Sequence, residues 1–281
     1  MPVTVPLSLD AALSALASDP GATVLAGGTD LMVEVNDGRR RLDRVISVGR
    51  LPELRKTQVR SGVVVIGAAT TYSEMDRGPF ADLAPSLSYA ARTVGSPQIR
   101  NAGTIGGNVA TASPAGDTLP VLVALGAAVE IAGATGRRVV PVAEFFIGAK
   151  RSALSAGELV VAVHVPIRRG PQDYLKVGVR NAMVIAVASV AIAVDLDERS
   201  VGVGLGSVGP TPLAAPEACE WIASQAVWRN DGVAAAPEAI AEFARRVADA
   251  AQPIDDHRST ADYRRHAIGV LARRALERCV T

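Results

Sequence analysis

Thr104-Ile-Gly-Gly-Asn-Val-Ala-Thr-Ala-Ser-Pro-Ala-Gly-Asp117, taken together with Val24-Leu-Ala-Gly-Gly-Thr-Asp-Leu31, decides how this chain is read. Each stretch adjoins or interrupts an apolar run and supplies a Gly-Gly pair, where backbone N–H groups can approach an anion that a side chain would block. Two such loops suggest a diphosphate held from both sides. Thr29, Thr104, Asn108 and Asp117 add hydrogen-bonding side chains that a plain turn does not require. Neither stretch has the Gly-x-Gly-x-x-Gly spacing of a dinucleotide turn or the Gly-Lys-Ser/Thr of a P-loop, so another phosphate-binding architecture is expected.

Outward from these loops, the pattern divides the chain. Ser8 can cap a helix carrying Leu9, Leu13 and Leu16 on one face, and Asp19-Pro20-Gly21 stops it before a strand at 23–25. The first glycine loop therefore follows a strand's carboxyl end, and a strand at 44–48 completes a small α/β unit, 1–53. A second α/β unit, 54–168, begins with a hairpin of 54–59 and 63–66. It continues with a helix opened by Ser73, another at 83–94, the second glycine loop, a hairpin of 127–131 with 138–140, and a long strand from Glu158 to Val165. Beyond the turn-prone Pro166 to Pro171, residues 169–281 read as an α+β unit. Its three-stranded antiparallel sheet (174–179, 185–196, 201–208) is covered on one face by helices from about Ala214, Pro237 and Ala261. The fold class is α+β.

Composition removes several functions. The 29 basic and 28 acidic residues leave a net charge of +1, which gives no electrostatic case for nucleic acid or an anionic membrane. Cys219 and Cys279 are too few and too far apart for a disulfide framework, a zinc site or an iron–sulfur cluster. The N-terminus lacks a signal-peptide pattern and no run approaches the ~18 apolar residues of a membrane span, so a cytoplasmic protein is expected. His164, His257 and His266 are not at metal-ligand spacing, and His164 reads as a structural histidine in an apolar strand. Gly204, Gly206 and Gly209 do form a Gly-x-Gly-x-x-Gly, but it runs into Pro210-Thr-Pro212, which cannot begin the required helix; a close-packed strand end is expected instead.

The AGGTDL and TIGGN loops, the ATASPAGD that follows, FFIGAK from Phe145 to Lys150, YLKVGVRNAMVIAVASVA from Tyr174, and the tail from Asp255 to Arg278 together resemble the FAD-binding medium subunit of molybdenum hydroxylases, the carbon monoxide dehydrogenase and xanthine dehydrogenase type. The match runs in order over nearly the whole chain. It implies a vanillyl-alcohol oxidase (PCMH-type) FAD-binding domain of two α/β subdomains plus a C-terminal α+β domain, with non-covalent FAD. By the same resemblance, Leu25, Ala26, Gly27, Gly28, Thr29, Asp30 and Leu31, with Thr104, Ile105, Gly106, Gly107 and Asn108, would wrap the diphosphate. Asp117 would meet the ribose or adenylate end, Val160 would lie against the isoalloxazine, and Lys176 would face its pyrimidine edge, where a cation raises the reduction potential.

One departure is Val184, which stands where many relatives carry an Asp, so no acidic role is carried over to that position. The resemblance also implies an electron-transfer oxidoreductase subunit in a dimer of heterotrimers. A large molybdopterin subunit and a small subunit with two [2Fe-2S] clusters would be its partners, and no side chain here would act as a catalytic acid or base. The competing readings are a binding or assembly protein that keeps the fold without redox activity, and a free-standing flavin oxidase.

Overall fold

The computed structural model describes residues 2–280. The N-terminal unit is a parallel sheet in the order Val3–Thr4, Val45–Ser47, Thr23–Leu25. Helix Leu9–Ser18 is capped by Ser8, whose Oγ accepts from Ala11 N at 3.1 Å. The helix buries Leu9, Ala12 and Leu16 against Ile46, Val48 and Leu54.

The second sheet is antiparallel, in the order Thr57–Arg60, Val63–Gly67, Leu159–Pro166, Ala128–Gly133, Gly136–Pro141. The sequence reading put a strand at 54–59; Pro52–Arg55 instead forms a 3-10 turn, because Pro52 favours its start and Leu54 must reach the first unit's core. Ser73 does not open the next helix. Thr71 does, through a capping box with Glu74, ahead of Tyr72–Met75. On the central strand Leu159–Pro166 the register shifts between Val160 and Ala162. Leu159 and Val161 join the first unit's core, while Val160 and Val163 enter the core beneath helices Pro85–Thr93, Ile105–Thr111 and Leu119–Ala124. This one strand therefore ties the two units together. His164 Nε2 lies 2.9 Å from Glu130 Oε2 on the neighbouring strand, as a structural histidine would.

The C-terminal sheet is antiparallel, Gln172–Val177, Ala188–Asp195, Ser200–Gly206, with a short fourth strand, Leu213–Ala214, that the sequence reading did not include. Val190, Ile192 and Val194 face helices Pro216–Gln225, Pro237–Asp249 and Ala261–Cys279, meeting Phe243, Ile268 and Leu276. The sequence reading covered this sheet on one face only. The alternate residues Ala191 and Ala193, with Tyr174, join the core of the second unit, so both faces are covered. A strand buried on both faces reads as a continuous apolar run, which is what Val190 to Val194 shows, with Ser189 the one buried polar residue before it.

The same packing accounts for Gly204 in the Gly-x-Gly-x-x-Gly pattern and for Gly202 just before it. A Cβ on Gly202 would stand 2.0 Å from Ala124 O, and one on Gly204 would stand 1.8 Å from Pro120 O. These glycines let helix Leu119–Ala124 lie directly on the strand. No helix among the described residues is long and apolar enough to cross a membrane.

Candidate cofactor site

Strand Thr23–Leu25 ends in the loop Ala26 to Asp30, which leads into helix Leu31–Asn36. The amides of Ala26, Gly27, Gly28, Thr29 and Asp30 donate to no acceptor among the described residues. A row of free N–H groups is costly unless water or a ligand accepts from them. The loop's residue types are forced by its course. A Cβ on Gly27 would stand 1.9 Å from Ala102 O, and Gly28 has φ +72°, so neither position takes a larger side chain without a shift of backbone. Residues 25–31 line a cavity of 660 Å³, a size ordinary for a cofactor site.

The second loop works differently. Thr104 caps helix Ile105–Thr111, its Oγ1 accepting from Gly107 N at 3.1 Å. Ile105 N donates to Thr70 O, Gly106 N to Ala68 O, and Asn108 N to Thr104 O. All four amides are taken, so the expectation of free donors on both sides of an anion holds for the first loop alone. The second loop supplies bare surface instead. Gly106 presses on Ala68, where a Cβ would come within 2.5 Å of the Ala68 Cβ, whereas a Cβ on Gly107 would meet only Thr104 Oγ1 at 3.0 Å. Thr104, Gly106, Gly107 and Asn108 line the cavity. Ile105 does not: it is fully buried in the central core, because the first helical turn after the cap points it inward. Asn108 accepts from Thr118 Oγ1 at 2.5 Å and so ties down the segment that carries Asp117.

Asp117 and Val160 both line the cavity. Asp117 is buried, with Oδ1 accepting from Tyr174 OH at 2.8 Å and Oδ2 from Lys176 Nζ at 2.7 Å. Burial pushes its carboxyl above the usual range, with Lys176 and Tyr174 opposing that rise; burial and then the Asp117 charge push the Tyr174 hydroxyl well up. Lys176 is not on the cavity lining, contrary to the expectation that it faces a flavin edge. Its ammonium donates to Asp117 Oδ2, Thr93 O at 2.9 Å and Val184 O at 3.3 Å, which accounts for its three N–H bonds. Lys176 lies behind Asp117, and no donor is left over for a ligand.

The family described as FAD binding domain in molybdopterin dehydrogenase matches residues 1–168, and that described as CO dehydrogenase flavoprotein C-terminal domain matches residues 173–279. The chain is an FAD-binding medium subunit of the molybdenum hydroxylase family. This medium subunit is 32% identical to the glyceraldehyde dehydrogenase medium chain of Sulfolobus acidocaldarius, over 96% of its own length and 95% of that protein's. It is 31% identical to the carbon monoxide dehydrogenase medium chain of Hydrogenophaga pseudoflava, over 95% and 91%. Its structure matches the reconstituted CO dehydrogenase from Oligotropha carboxidovorans with a TM-score of 0.89 and 29% identity, covering 99% of this chain and 97% of that one. The medium subunit is thus part of an oxidoreductase, and its cofactor is FAD. The unpaired amide row, the glycine surface opposite it and the cavity they share fit a diphosphate-linked cofactor.

Several cavity residues of the medium subunit escape sequence reasoning. Tyr72, Gly95 and Ile99 line it, as do Met183, Val184 and Ile185 from the loop after Lys176. Glu34, Arg40 and Lys150 form a charged group on the lining: Glu34 accepts from Lys150 Nζ at 2.7 Å and stands 3.7 Å from Arg40 Nη1. The Lys150 bond is the largest of the causes that hold the Glu34 carboxyl below its usual range. Lys150 belonged to the FFIGAK stretch, but its partner is 116 residues away, and no local pattern joins them.

Proposed function

We propose that this medium subunit carries electrons from the iron–sulfur clusters of a small partner subunit, themselves reduced by a large molybdopterin partner, through FAD to an external acceptor. The observation that carries the reading is the row of five unpartnered amides, 26–30, on a glycine loop that lines the cavity of a medium-subunit fold. Bound FAD would supply the electron-transfer chemistry; the protein's task is to bind and orient it. The 26–30 amides would donate to the diphosphate oxygens, and Gly106 and Gly107 would let it approach from the other side. Thr29 and Asn108 would flank it, Asp117 would meet the ribose or adenylate end, and Val160 would pack against the isoalloxazine. Units 1–53 and 54–168 would hold the cofactor, while 169–281 would brace the cavity through Tyr174, Lys176 and the 183–185 segment. A cytoplasmic dimer of heterotrimers follows from the same reading.

Titration of the isolated chain with FAD, followed by flavin fluorescence and visible absorbance, tests the proposal. One FAD per chain and a yellow product are expected. A colourless protein that cannot be reconstituted would favour the assembly-protein alternative, and copurification without iron-containing or molybdopterin partners would favour a free-standing oxidase.

A further inference from the structure

We propose that Lys176 is a positioning residue that joins two segments of the cofactor cavity, the 113–118 loop and the 178–187 loop, and keeps Asp117 ionised; this rests on the FAD reading above. The 178–187 loop lies outside regular structure and lines the cavity with Met183, Val184 and Ile185. Cations hold its carbonyls. Lys176 Nζ donates to Val184 O at 3.3 Å, Arg264 Nη1 donates to Val187 O at 3.2 Å, and Arg180 donates through Nε to Ala182 O and Met183 O at 3.1 Å each. Lys176 differs from the two arginines in what else it binds. The same ammonium reaches Asp117 on the opposite segment and Thr93 O at the end of helix Pro85–Thr93. Lys176 and Asp117 side chains are only 10% and 8% exposed, so solvent does little to screen the pair.

The groups facing Asp117 are few. Tyr174 and Lys176 reach it from strand Gln172–Val177, and Tyr72, on helix Tyr72–Met75, feels its charge. Lys176 is the only cation among them. Removing it would leave a buried carboxylate with one neutral hydroxyl donor, a state relieved by protonation. At the same step the Val184 carbonyl and the 113–118 loop lose their shared partner. A lysine in contact with the cofactor would behave otherwise: its removal would act on the flavin directly and independently of Asp117.

Wild type, Lys176→Met, Lys176→Arg, Asp117→Asn and the Lys176→Met/Asp117→Asn double variant separate these roles. Two readouts are used: hydrogen exchange of the flavin-free chain, and the FAD dissociation constant from about pH 5 to about pH 9, a range that lies above the ordinary aspartate value of about 3.9 and covers raised ones. Lys176→Met is expected to speed exchange in 113–118 and 178–187 together by about tenfold or more, while helix Ala261–Cys279 keeps its protection. Its FAD affinity is expected to weaken as pH falls, by up to about tenfold per unit below the raised Asp117 value. Lys176→Arg keeps a cation and should retain a flatter profile. The double variant should titrate no group here and should match Asp117→Asn.

Unchanged exchange in both loops would overturn the tie. A pH-independent loss in Lys176→Met that multiplies with that of Asp117→Asn would overturn the ionisation role. Should the wild-type chain bind no FAD, the exchange readout still decides the tie, and the electron-transfer reading is what falls. If Lys176→Met does not fold, Lys176→Gln and Asp117→Asn carry the same exchange comparison.

Discussion

Gly204→Ala tests whether the Gly204, Gly206, Gly209 pattern serves packing or binding. The new Cβ would stand 1.8 Å from Pro120 O, 2.7 Å from Pro120 C and 3.0 Å from Pro120 Cα. The obstacle is backbone, so no side chain can swing away. Bringing the closest distance to 3.0 Å requires sheet and helix Leu119–Ala124 to part by about 1.2 Å. Leu119 and Leu122 on this helix and Leu125 at its C-cap are fully buried and would lose close contact with the central core. A gap of about 0.5–1 Å already forfeits a quarter to a half of a contact's dispersion energy. Overpacking usually costs about 1–3 kcal/mol, and a rigid obstacle puts this site at the upper end or beyond, about 3 kcal/mol or more.

Chemical denaturation of the flavin-free chain measures the loss. Gly21→Ala is the control, because its Cβ would meet only Asp19 Oδ1 at 3.7 Å, and a change within about 0.5 kcal/mol is expected there. A Gly204→Ala protein with wild-type stability but no flavin binding would refute the packing account and restore a ligand role to this strand.

The two loop glycines should separate in the same assays. Gly106→Leu should lower both stability and FAD retention, because Ala68 lies against it, whereas Gly107→Leu should lower FAD retention with little change in the denaturation midpoint; equal stability losses for both would contradict the difference in their surroundings. Burial opposes the shift, but the Asp195 carboxyl is held below its usual range by Arg168, whose Nη1 lies 2.6 Å from Oδ2, and by the Asp197 and Glu198 amides. Because this folded-state value is depressed, the pair's contribution is present above about pH 3.8, the unfolded value, and is lost as pH falls through the folded one. Asp195→Asn should therefore cost about 1.5–3 kcal/mol near neutrality and lose less further stability than wild type below about pH 4, as read from urea midpoints against pH.

How much of this protein could be read before folding depended on the range of each interaction. The helix cap at Ser8, the strand at 23–25, the glycine loop after it and the hairpins of the second sheet came from local periodicity and turn residues. The amide row at 26–30 matched the expectation drawn from its Gly-Gly pair, but glycine content alone did not decide it, because the amides of the second Gly-Gly pair are all bonded. The second loop was legible as part of the site but not in its chemistry. Whether the amides of 105–108 are free depends on where Ala68 and Thr70 place their carbonyls, and those belong to another segment.

Sequence alone determined the family motifs, the α+β class, the strand–loop–helix order and the candidate carboxylate Asp117. Tertiary structure decided which neighbours each candidate meets. Ile105 turned inward because its helix packs on the core, and the sheet at 172–206 is covered twice because Leu119–Ala124 lies on glycines from a strand eighty residues later. It also set Lys176 behind Asp117, its three donors shared among carbonyls and a carboxylate from three separate segments. A side chain's charge and reach are written in the residue, but its partner depends on how distant segments pack, and no local pattern records that.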